Sequence, residues 1–173
     1  MTTRRAFIAG CGAAAAATAC SPGQAPTGND ISQLEPTALA GITRIDGQRP
    51  LVDVLQRHRG PVCVAGGRFS MGGQTTASGA LQLDMTGHNR LLRLDVPGKV
   101  VRVQAGMRWR ELQALLDPHD LSVKVMQSFS SFTIGGSVGV NCHGRYVGNG
   151  SLAATIRALQ VVLRSGEVLE TSR

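Results

Sequence analysis

The order of predicted secondary-structure elements indicates an α+β fold. Segments in which apolar and polar residues alternate, as is typical of strands, follow one another between residues 80 and 105. Helical spacing of apolar residues occurs in only two segments, so strands and helices do not alternate regularly. The 22 glycines fall largely in clusters and indicate loops where the backbone approaches another group closely.

The first half of the chain supplies one helix and most of the strands. A helix is predicted over residues 50–59, opened by a proline and followed by a glycine. Residues 61–65 form a short apolar strand that runs directly into a glycine cluster. Alternation predicts three further strands over residues 80–84, 91–95 and 99–105, the last two separated by a Pro-Gly turn.

The second half supplies the other helix, over residues 108–116. Residues 121–125 are predicted to be extended, and residues 155–163 to lead into a strand that turns at residues 165–167. The apolar face of the helix is predicted to comprise Trp109, Leu112, Leu115 and Leu116.

Residues 1–20 have the layout of a bacterial twin-arginine export signal. Arg4 and Arg5 precede a weakly apolar, alanine-rich run that is too short for a confident transmembrane helix. An ordinary secretory signal or a misassigned start site are the alternatives. Cys20 follows small residues as in a lipobox, although Ala17 replaces the usual leucine, which leaves a lipoprotein and a soluble periplasmic protein as equal alternatives.

The polar residues 21–35 predict a flexible linker between this signal and a domain over residues 36–173. With 42% hydrophobic and 17% charged residues, the chain has the composition of a globular protein. The formal net charge of +7 is spread along the chain and aromatic residues are only 3%, which disfavours nucleic-acid binding. A basic surface that attracts an anionic ligand or membrane headgroups explains the charge equally well.

The cysteines carry no metal-binding pattern. No CxxC spacing occurs, and an exported protein permits a disulfide between Cys63 and Cys142 without the sequence demanding one. Cys63 lies in an apolar run and is expected to be a small buried hydrophobic residue. No metal site is predicted.

The glycine-rich loop over residues 65–74 directly follows a predicted strand. Successive backbone N–H groups in such a loop form a concave anion site, and glycine allows close approach to a pyrophosphate. A dinucleotide-binding GxGxxG motif would have to open a helix, but the residues after Gly73 are poor helix formers. No Gly-Lys-Ser/Thr motif is present, which excludes a Walker loop. The remaining alternative is a glycine-rich hairpin without a ligand.

A second glycine-rich segment, residues 128–144, favours the ligand. Gly135 and Gly136 are expected to let the chain pass flat beside a planar group, while Thr133, Ser137 and Asn141 offer hydrogen bonds. Small residues flank His143, which favours a site residue over a buried core histidine.

Taken together, these segments resemble the FAD-binding domain of the PCMH type, which vanillyl-alcohol oxidase, aldonolactone oxidases, cytokinin dehydrogenase and decaprenylphosphoryl-ribose oxidase share. The resemblance extends from about residue 49 to the C-terminus and rests on five elements in order. These are the strand and its glycine loop, Gln104-Ala105-Gly106 before the Trp109 helix, Thr133-Ile134-Gly135-Gly136, His143-Gly144, and Gly150-Ser151-Leu152.

The resemblance implies two small α+β subdomains, the second incomplete here, and a set of FAD-binding residues. The first loop would hold the pyrophosphate, and the second segment would follow the pyrophosphate, ribityl chain and isoalloxazine. The implied residues are Gly66, Gly67, Arg68, Phe69, Ser70, Met71, Gly72, Gly73, Gln74, Thr133, Gly135, Gly136, Ser137, Gly139, Asn141, His143 and Gly144.

The resemblance also bears on how the flavin is attached. Many relatives bind it covalently through a histidine in the first loop, and Phe69 occupies the corresponding position here. Phenylalanine has no nucleophilic nitrogen, so noncovalent FAD is expected.

Family members are much longer than 173 residues, because a substrate domain follows the FAD-binding domain. The resemblance therefore implies part of an FAD-dependent oxidoreductase that moves a hydride from an alcohol or sugar-like carbon to the flavin, with no catalytic base identifiable. A small-molecule substrate is expected only if a substrate domain is present. The alternatives are an exported flavin-binding module and an inactive fragment.

Overall fold

The computed structural model describes residues 25–172, so the predicted export signal and Cys20 lie outside the described residues. The strands are β1 (Thr27–Gly28), β2 (Thr37–Ala38), β3 (Gly41–Arg44), β4 (Val62–Ala65), β5 (Leu81–Asp84), β6 (Leu91–Asp95), β7 (Val100–Val103), β8 (Ala158–Val162) and β9 (Val168–Ser172). The α-helices are α1 (Gln48–Arg57), α2 (Trp109–Leu116) and α3 (Ile134–Gly139). The predicted α+β class is confirmed.

A three-stranded parallel sheet carries the first glycine-rich loop. Its order is β3-β5-β4, with Gly41 and Val62 both paired to Leu81. Helix α1 connects β3 to β4, and its buried residue Leu55 packs with Ile45 and Leu83 in a small core. Since β4 is an edge strand that ends at Ala65, the loop leaves the sheet at its carboxyl edge.

Three antiparallel pairs complete the strands: β1 with β2, β6 with β7, and β8 with β9. The hairpin β8–β9 extends the single strand predicted near the C-terminus. No strand forms over residues 121–125, which were predicted to be extended, although Val125 is buried. Val125 lies in a loop and its apolar side chain packs in the core, so the alternating pattern reflects burial rather than strand pairing.

The larger core surrounds helix α2. Trp109, Leu112 and Leu116 are buried together with Val125 and Leu152. Leu115, predicted on the same apolar face, is instead 40% exposed. Trp109, Leu112 and Leu116 are spaced three and four residues apart and share one stripe, while Leu115 lies at the margin of that stripe.

The second glycine-rich segment, expected to pass flat beside a planar group, contains a short helix. Residues 134–139 form helix α3, and the N–H of Gly136 donates to the side-chain oxygen of Thr133 at its N-terminus (3.3 Å). A Cβ on Gly135 would lie 2.8 Å from Ala105 Cβ and 2.9 Å from Ala105 O. The absence of a side chain at Gly135 therefore allows the helix to pack against Ala105.

Residues 25–35, expected to belong to a flexible linker, are part of the fold. Strand β1 pairs with β2, and Asp30 is only 3% exposed. Its carboxylate accepts hydrogen bonds from the glycine-rich loop, which explains why a polar segment packs against the domain. Residues 25–35 have few apolar side chains, so their composition predicted a flexible linker and gave no sign that Asp30 is buried.

Candidate functional site

The two glycine-rich segments meet at Gly66 and Thr133. A Cβ placed on Gly66 would lie 2.2 Å from Thr133 Oγ1 and 3.3 Å from Thr133 Cβ, and side chains do not tolerate the shorter distance. Glycine is therefore required where the loop leaves β4, because Gly66 touches Thr133, the N-cap residue of α3.

A cleft of about 160 Å³ opens between these segments. Eight of the predicted site residues line it, contributed by both segments, together with four residues that were not predicted. The predicted ones are Gly66, Gly67, Arg68, Phe69, Ser70, Thr133, Gly136 and Ser137; the others are Thr75, Gln127, Phe132 and Val140. The sequence did place Thr75 in a polar run and Phe132 beside Thr133, but neither feature distinguishes a cleft residue from a loop residue.

The cleft is rich in hydrogen-bond donors without partners. No hydrogen bond among residues 25–172 uses the backbone N–H groups of residues 67–71. Two buried side-chain atoms of lining residues also lack a partner there, Arg68 Nε and Thr75 Oγ1. Buried polar groups in proteins are normally paired, so the two buried side-chain atoms call for a partner. Together with a run of free backbone N–H groups, they indicate a site for an anionic ligand.

The side chain of Arg68 is held in place by residues of strand β5. Its Nη2 donates to Gln82 Oε1 (3.0 Å) and lies 3.5 Å from Asp84 Oδ2, both on the central strand β5. Gln82 in turn donates to the carbonyl of Thr75 (2.8 Å). The φ of Arg68 is +57°, in the left-handed region that non-glycine residues rarely adopt. These contacts fix a cationic side chain that lines the cleft.

Ser137 belongs to a buried network on the other side of the cleft. Its hydroxyl donates to Gln127 Oε1 (2.6 Å) and accepts from Trp109 Nε1 (2.9 Å). The hydroxyl hydrogen is thereby committed within the protein, so Ser137 offers a ligand only its remaining lone pair. Burial of the neighbouring Cys142 thiol raises its pKa, and this thiol is free, as is that of the half-buried Cys63.

Phe69 lies in the cleft as an apolar wall. Its ring centroid is 4.9 Å from that of Phe132, with the rings tilted by 58°, and Phe132 also contacts the exposed Phe129 at 6.0 Å. This arrangement is an ordinary aromatic contact. No histidine is present among residues 65–74.

The remaining residues predicted in the first loop lie outside this cleft. Met71 and Gln74 are exposed, and the N–H groups of Gly72 and Gly73 donate to Asp30 Oδ2 at 3.1 and 3.0 Å. These two glycine N–H groups therefore already have a protein acceptor.

The predicted residues at the end of the second segment also line no part of the cleft. Asn141 Oδ1 accepts from the backbone N–H of Ala153 (3.0 Å), and a Cβ on Gly144 would lie 3.0 Å from Met126 O. His143 is exposed, with its Nδ1 3.0 Å from the Gly144 carbonyl. Gly139 faces open space. Asn141 and Gly144 therefore make contacts within the protein near α3, and the imidazole of His143 lies at the surface.

A second cavity, of about 370 Å³, lies away from this site beside the end of α1. Leu55, Gln56, Arg59, Arg164 and Ser165 line it. Arg164 donates to the carbonyls of Leu55 and His58, which are left unpaired at the end of the helix. That arginine is thus a capping residue.

Among residues 25–172, no group of three or more His, Cys, Asp or Glu side chains is arranged to hold a metal ion. In the same range, every helix falls short of the length and apolar character needed to cross a membrane.

The free donors, the fixed arginine and the contact at Gly66 fit a diphosphate. A cleft of about 160 Å³ is smaller than the roughly 300–1,000 Å³ of a pocket that encloses a whole small molecule, so it accommodates one part of a larger cofactor. An α+β domain with such an anion cleft between a strand-end loop and a short helix defines a nucleotide-cofactor-binding domain.

Comparison with known proteins specifies the class. Residues 36–172 match the family described as FAD binding domain, and the chain belongs to this family. The predicted family and the predicted cofactor, FAD, are confirmed.

Several enzymes contain similar sequences. The chain is 29% identical over 130 residues to L-gulonolactone oxidase from Bos taurus, which covers 75% of this chain and 29% of that protein. It is 32% identical over 111 residues to decaprenylphosphoryl-β-D-ribose oxidase from Mycolicibacterium smegmatis (64% and 24%). It is 36% identical over 73 residues to alditol oxidase from a Streptomyces species (42% and 18%). The chain therefore spans less than a third of the length of these relatives.

Proposed function

We propose that this chain is the FAD-binding part of a flavin-dependent oxidoreductase that oxidises an alcohol or a sugar- or lactone-type substrate. The observation that carries the proposal is the cleft between residues 66–70 and helix α3, with its unpaired donors. The substrate class is supported by the relatives, whose names specify a lactone, a phosphoryl-ribose and an alditol.

The residues of this chain bind and orient the cofactor. The N–H groups of residues 67–71 and the Arg68 guanidinium would hold the diphosphate, because both supply positive charge at the cleft. Phe69 and Phe132 exclude water from one side of the cleft. FAD, when bound, supplies the acceptor for two electrons from the substrate carbon and passes them to oxygen or another acceptor. No residue of this chain is assigned as a catalytic base.

FAD is proposed to be held without a covalent bond. Phe69 packs on Phe132 and provides no nucleophile in the first loop. Holoprotein precipitated with acid is expected to release all its flavin into the supernatant. A yellow pellet that resists washing would show covalent attachment and contradict this proposal.

A flavin titration tests the binding function directly. Trp109 is the single tryptophan of the chain and is hydrogen-bonded to the cleft residue Ser137. FAD whose diphosphate lies in the cleft brings the flavin near Trp109 and is therefore expected to quench its fluorescence in a saturable manner, with ADP competing for the same site. Quenching by FAD that remains linear in concentration, with no competition from ADP, would contradict the function.

An exported flavin-binding module without catalysis, or an inactive fragment, is the alternative function. The observation that favours it is the family match, which names FAD binding and no reaction. Assay of the purified chain with alditols and aldonolactones, with and without a coexpressed downstream reading frame, separates the two. Turnover in either preparation supports the oxidoreductase, whereas flavin binding without turnover in both supports the module. A chain that does not bind flavin is the inactive fragment.

The cellular location is proposed from residues 1–20. Arg4 and Arg5 favour export through the twin-arginine route, and Cys20 is a candidate for lipid attachment as a membrane tether. Replacement of both arginines by lysine is expected to retain the protein in the cytoplasm. Labelling with a radioactive fatty acid, compared between the native chain and Cys20→Ser, distinguishes a lipoprotein from a soluble periplasmic protein.

A further inference from the structure

A buried carboxylate outside the region that matches the family lies directly behind the glycine-rich loop. Asp30 precedes residue 36, where the family match begins, and is one of four buried polar or charged side chains among the described residues. It lies in the segment between β1 and β2, here called the N-terminal strap (residues 27–38). No lining position of the cleft belongs to this strap.

The strap contacts the loop at two places. Asp30 Oδ2 accepts from the N–H groups of Gly72 (3.1 Å) and Gly73 (3.0 Å), and the Ile31 N–H donates to the Arg68 carbonyl (2.8 Å). Residues 69–71, with their unpaired N–H groups, lie between these two attachments. The strap therefore holds both ends of residues 69–71, three of the five residues whose N–H groups are free.

Asp30 is itself fixed before any ligand binds. Its Oδ1 accepts from the Ser32 hydroxyl (2.5 Å) and the Ser32 N–H (2.9 Å). The hydrogen bonds from the Ser32 side chain and from the Gly73 backbone lower the pKa of this carboxyl, which keeps it ionised at neutral pH. Hydrogen bonds to an ionised acceptor are the stronger kind, so the two glycine N–H groups are firmly held.

We propose that Asp30 is a positioning residue for FAD, which holds the glycine-rich loop in the conformation that presents the N–H groups of residues 67–71 to the diphosphate. A loop with four glycines and no helix or strand loses much conformational entropy when it is ordered. By ordering it in the free protein, the strap removes this cost from the binding step. Gly72 and Gly73 then serve the strap and not the cofactor. The inference rests on FAD binding at the cleft.

The test compares Asp30→Asn with two other variants of the full chain. The asparagine amide keeps the size of the side chain but has one acceptor oxygen instead of two and no charge, so it cannot accept from the two glycine N–H groups and from Ser32 together, and the bonds that remain are weaker. Ser32→Ala removes one support of the carboxylate and leaves the loop contacts in place. The matched control is Asp95→Asn, since Asp95 also accepts from a glycine N–H (Gly98, 2.9 Å) but in the β6–β7 turn, away from the cleft.

The measurements are the FAD dissociation constant, from Trp109 quenching, and amide hydrogen exchange. We expect Asp30→Asn to raise the FAD dissociation constant about tenfold, which corresponds to about 1.4 kcal/mol, with a smaller increase for Ser32→Ala and none for Asp95→Asn. In the native protein, the Gly72 and Gly73 amides are expected to be protected with and without FAD, whereas residues 67–71 gain protection only with FAD. In Asp30→Asn the two glycine amides are expected to exchange faster in the free protein, because a neutral amide oxygen accepts more weakly than a carboxylate.

Two results would overturn this assignment. The first is Asp30→Asn protein with an unchanged FAD dissociation constant but unprotected glycine amides, which would make the strap purely structural. The second is protection of Gly72 and Gly73 in the native protein only when FAD is present, which would assign their N–H groups to the cofactor. If the native protein binds no FAD, the proposed function is wrong. If the native and Asp30→Asn proteins bind FAD equally well, the proposed function stands and only the role of Asp30 is wrong.

Discussion

Gly66 joins the glycine-rich loop to helix α3, and its replacement by alanine perturbs both. The added Cβ would lie 2.2 Å from Thr133 Oγ1, an atom that also accepts from the Gly136 N–H at the start of α3. Thr133 is buried, so its side chain cannot move into solvent. The substitution therefore either displaces the loop from the helix or rotates Thr133 away from its capping position.

The expected loss of stability follows from these two alternatives. Overpacking in a well-packed region costs about 1–3 kcal/mol, and loss of a threonine cap costs about 1 kcal/mol. We expect Gly66→Ala to lower the free energy of unfolding by about 2–3 kcal/mol and to weaken FAD binding, because the loop and α3 no longer define the same cleft.

A double-mutant cycle in urea, followed by Trp109 fluorescence, is the assay. Thr133→Ala alone removes the cap and is expected to cost about 1 kcal/mol. It also removes the atom that the new Cβ meets, so the double variant should be more stable than the sum of the single losses predicts, by about 1 kcal/mol or more. The control is Gly139→Ala, whose Cβ faces open space, and it should leave stability unchanged or slightly higher. If the loss of stability in the double variant equals the sum of the losses in Gly66→Ala and Thr133→Ala within error, the proposed contact between residues 66 and 133 is refuted.

Three further predictions follow from other contacts. Gly106→Ala places a Cβ 1.8 Å from the Met85 carbonyl oxygen, a backbone atom that cannot rotate away, so we expect more than about 3 kcal/mol of destabilisation or no soluble protein. Trp109→Phe removes the hydrogen bond from Nε1 to Ser137 and is expected to lower the free energy of unfolding by about 1–3 kcal/mol, measured by thermal unfolding. The free energy of FAD binding should change less than this, because Ser137 still donates to Gln127. Burial of the His88 ring, reinforced by Arg90, lowers its pKa in the folded protein, so the unfolded chain binds the proton more readily. The stability difference between native protein and His88→Gln should therefore shrink as pH falls through about 6.5, and a difference independent of pH would contradict this.

Local patterns in the sequence predicted the scaffold of the site well. Strands β4 and β5 follow from short apolar or alternating runs, and both helices of the predicted pattern form within two residues of the expected bounds. The two glycine-rich segments indicated one shared ligand, and residues from both do line one cleft. Such features depend on neighbours along the chain, which the sequence displays.

The parts that were not predicted depend on contacts between distant residues. Helix α3 contains three glycines, which disfavour a helix, and it is supported by the Thr133 cap and by the packing of Gly135 on Ala105. Asp30 is buried only because Gly72 and Gly73, more than forty positions later, supply donors to it. Neither partner is identifiable from the composition of the segment itself.

The distribution of free donors specifies which part of FAD this chain determines. Unpaired N–H groups and the buried Arg68 Nε are concentrated at the cleft, whereas Ser137, Asn141 and the glycines at 72 and 73 are engaged within the protein. The cleft volume fits a diphosphate and not an additional three-ring system. Affinity for the cofactor is therefore determined mainly by phosphate contacts, so FAD and ADP should bind with similar free energies.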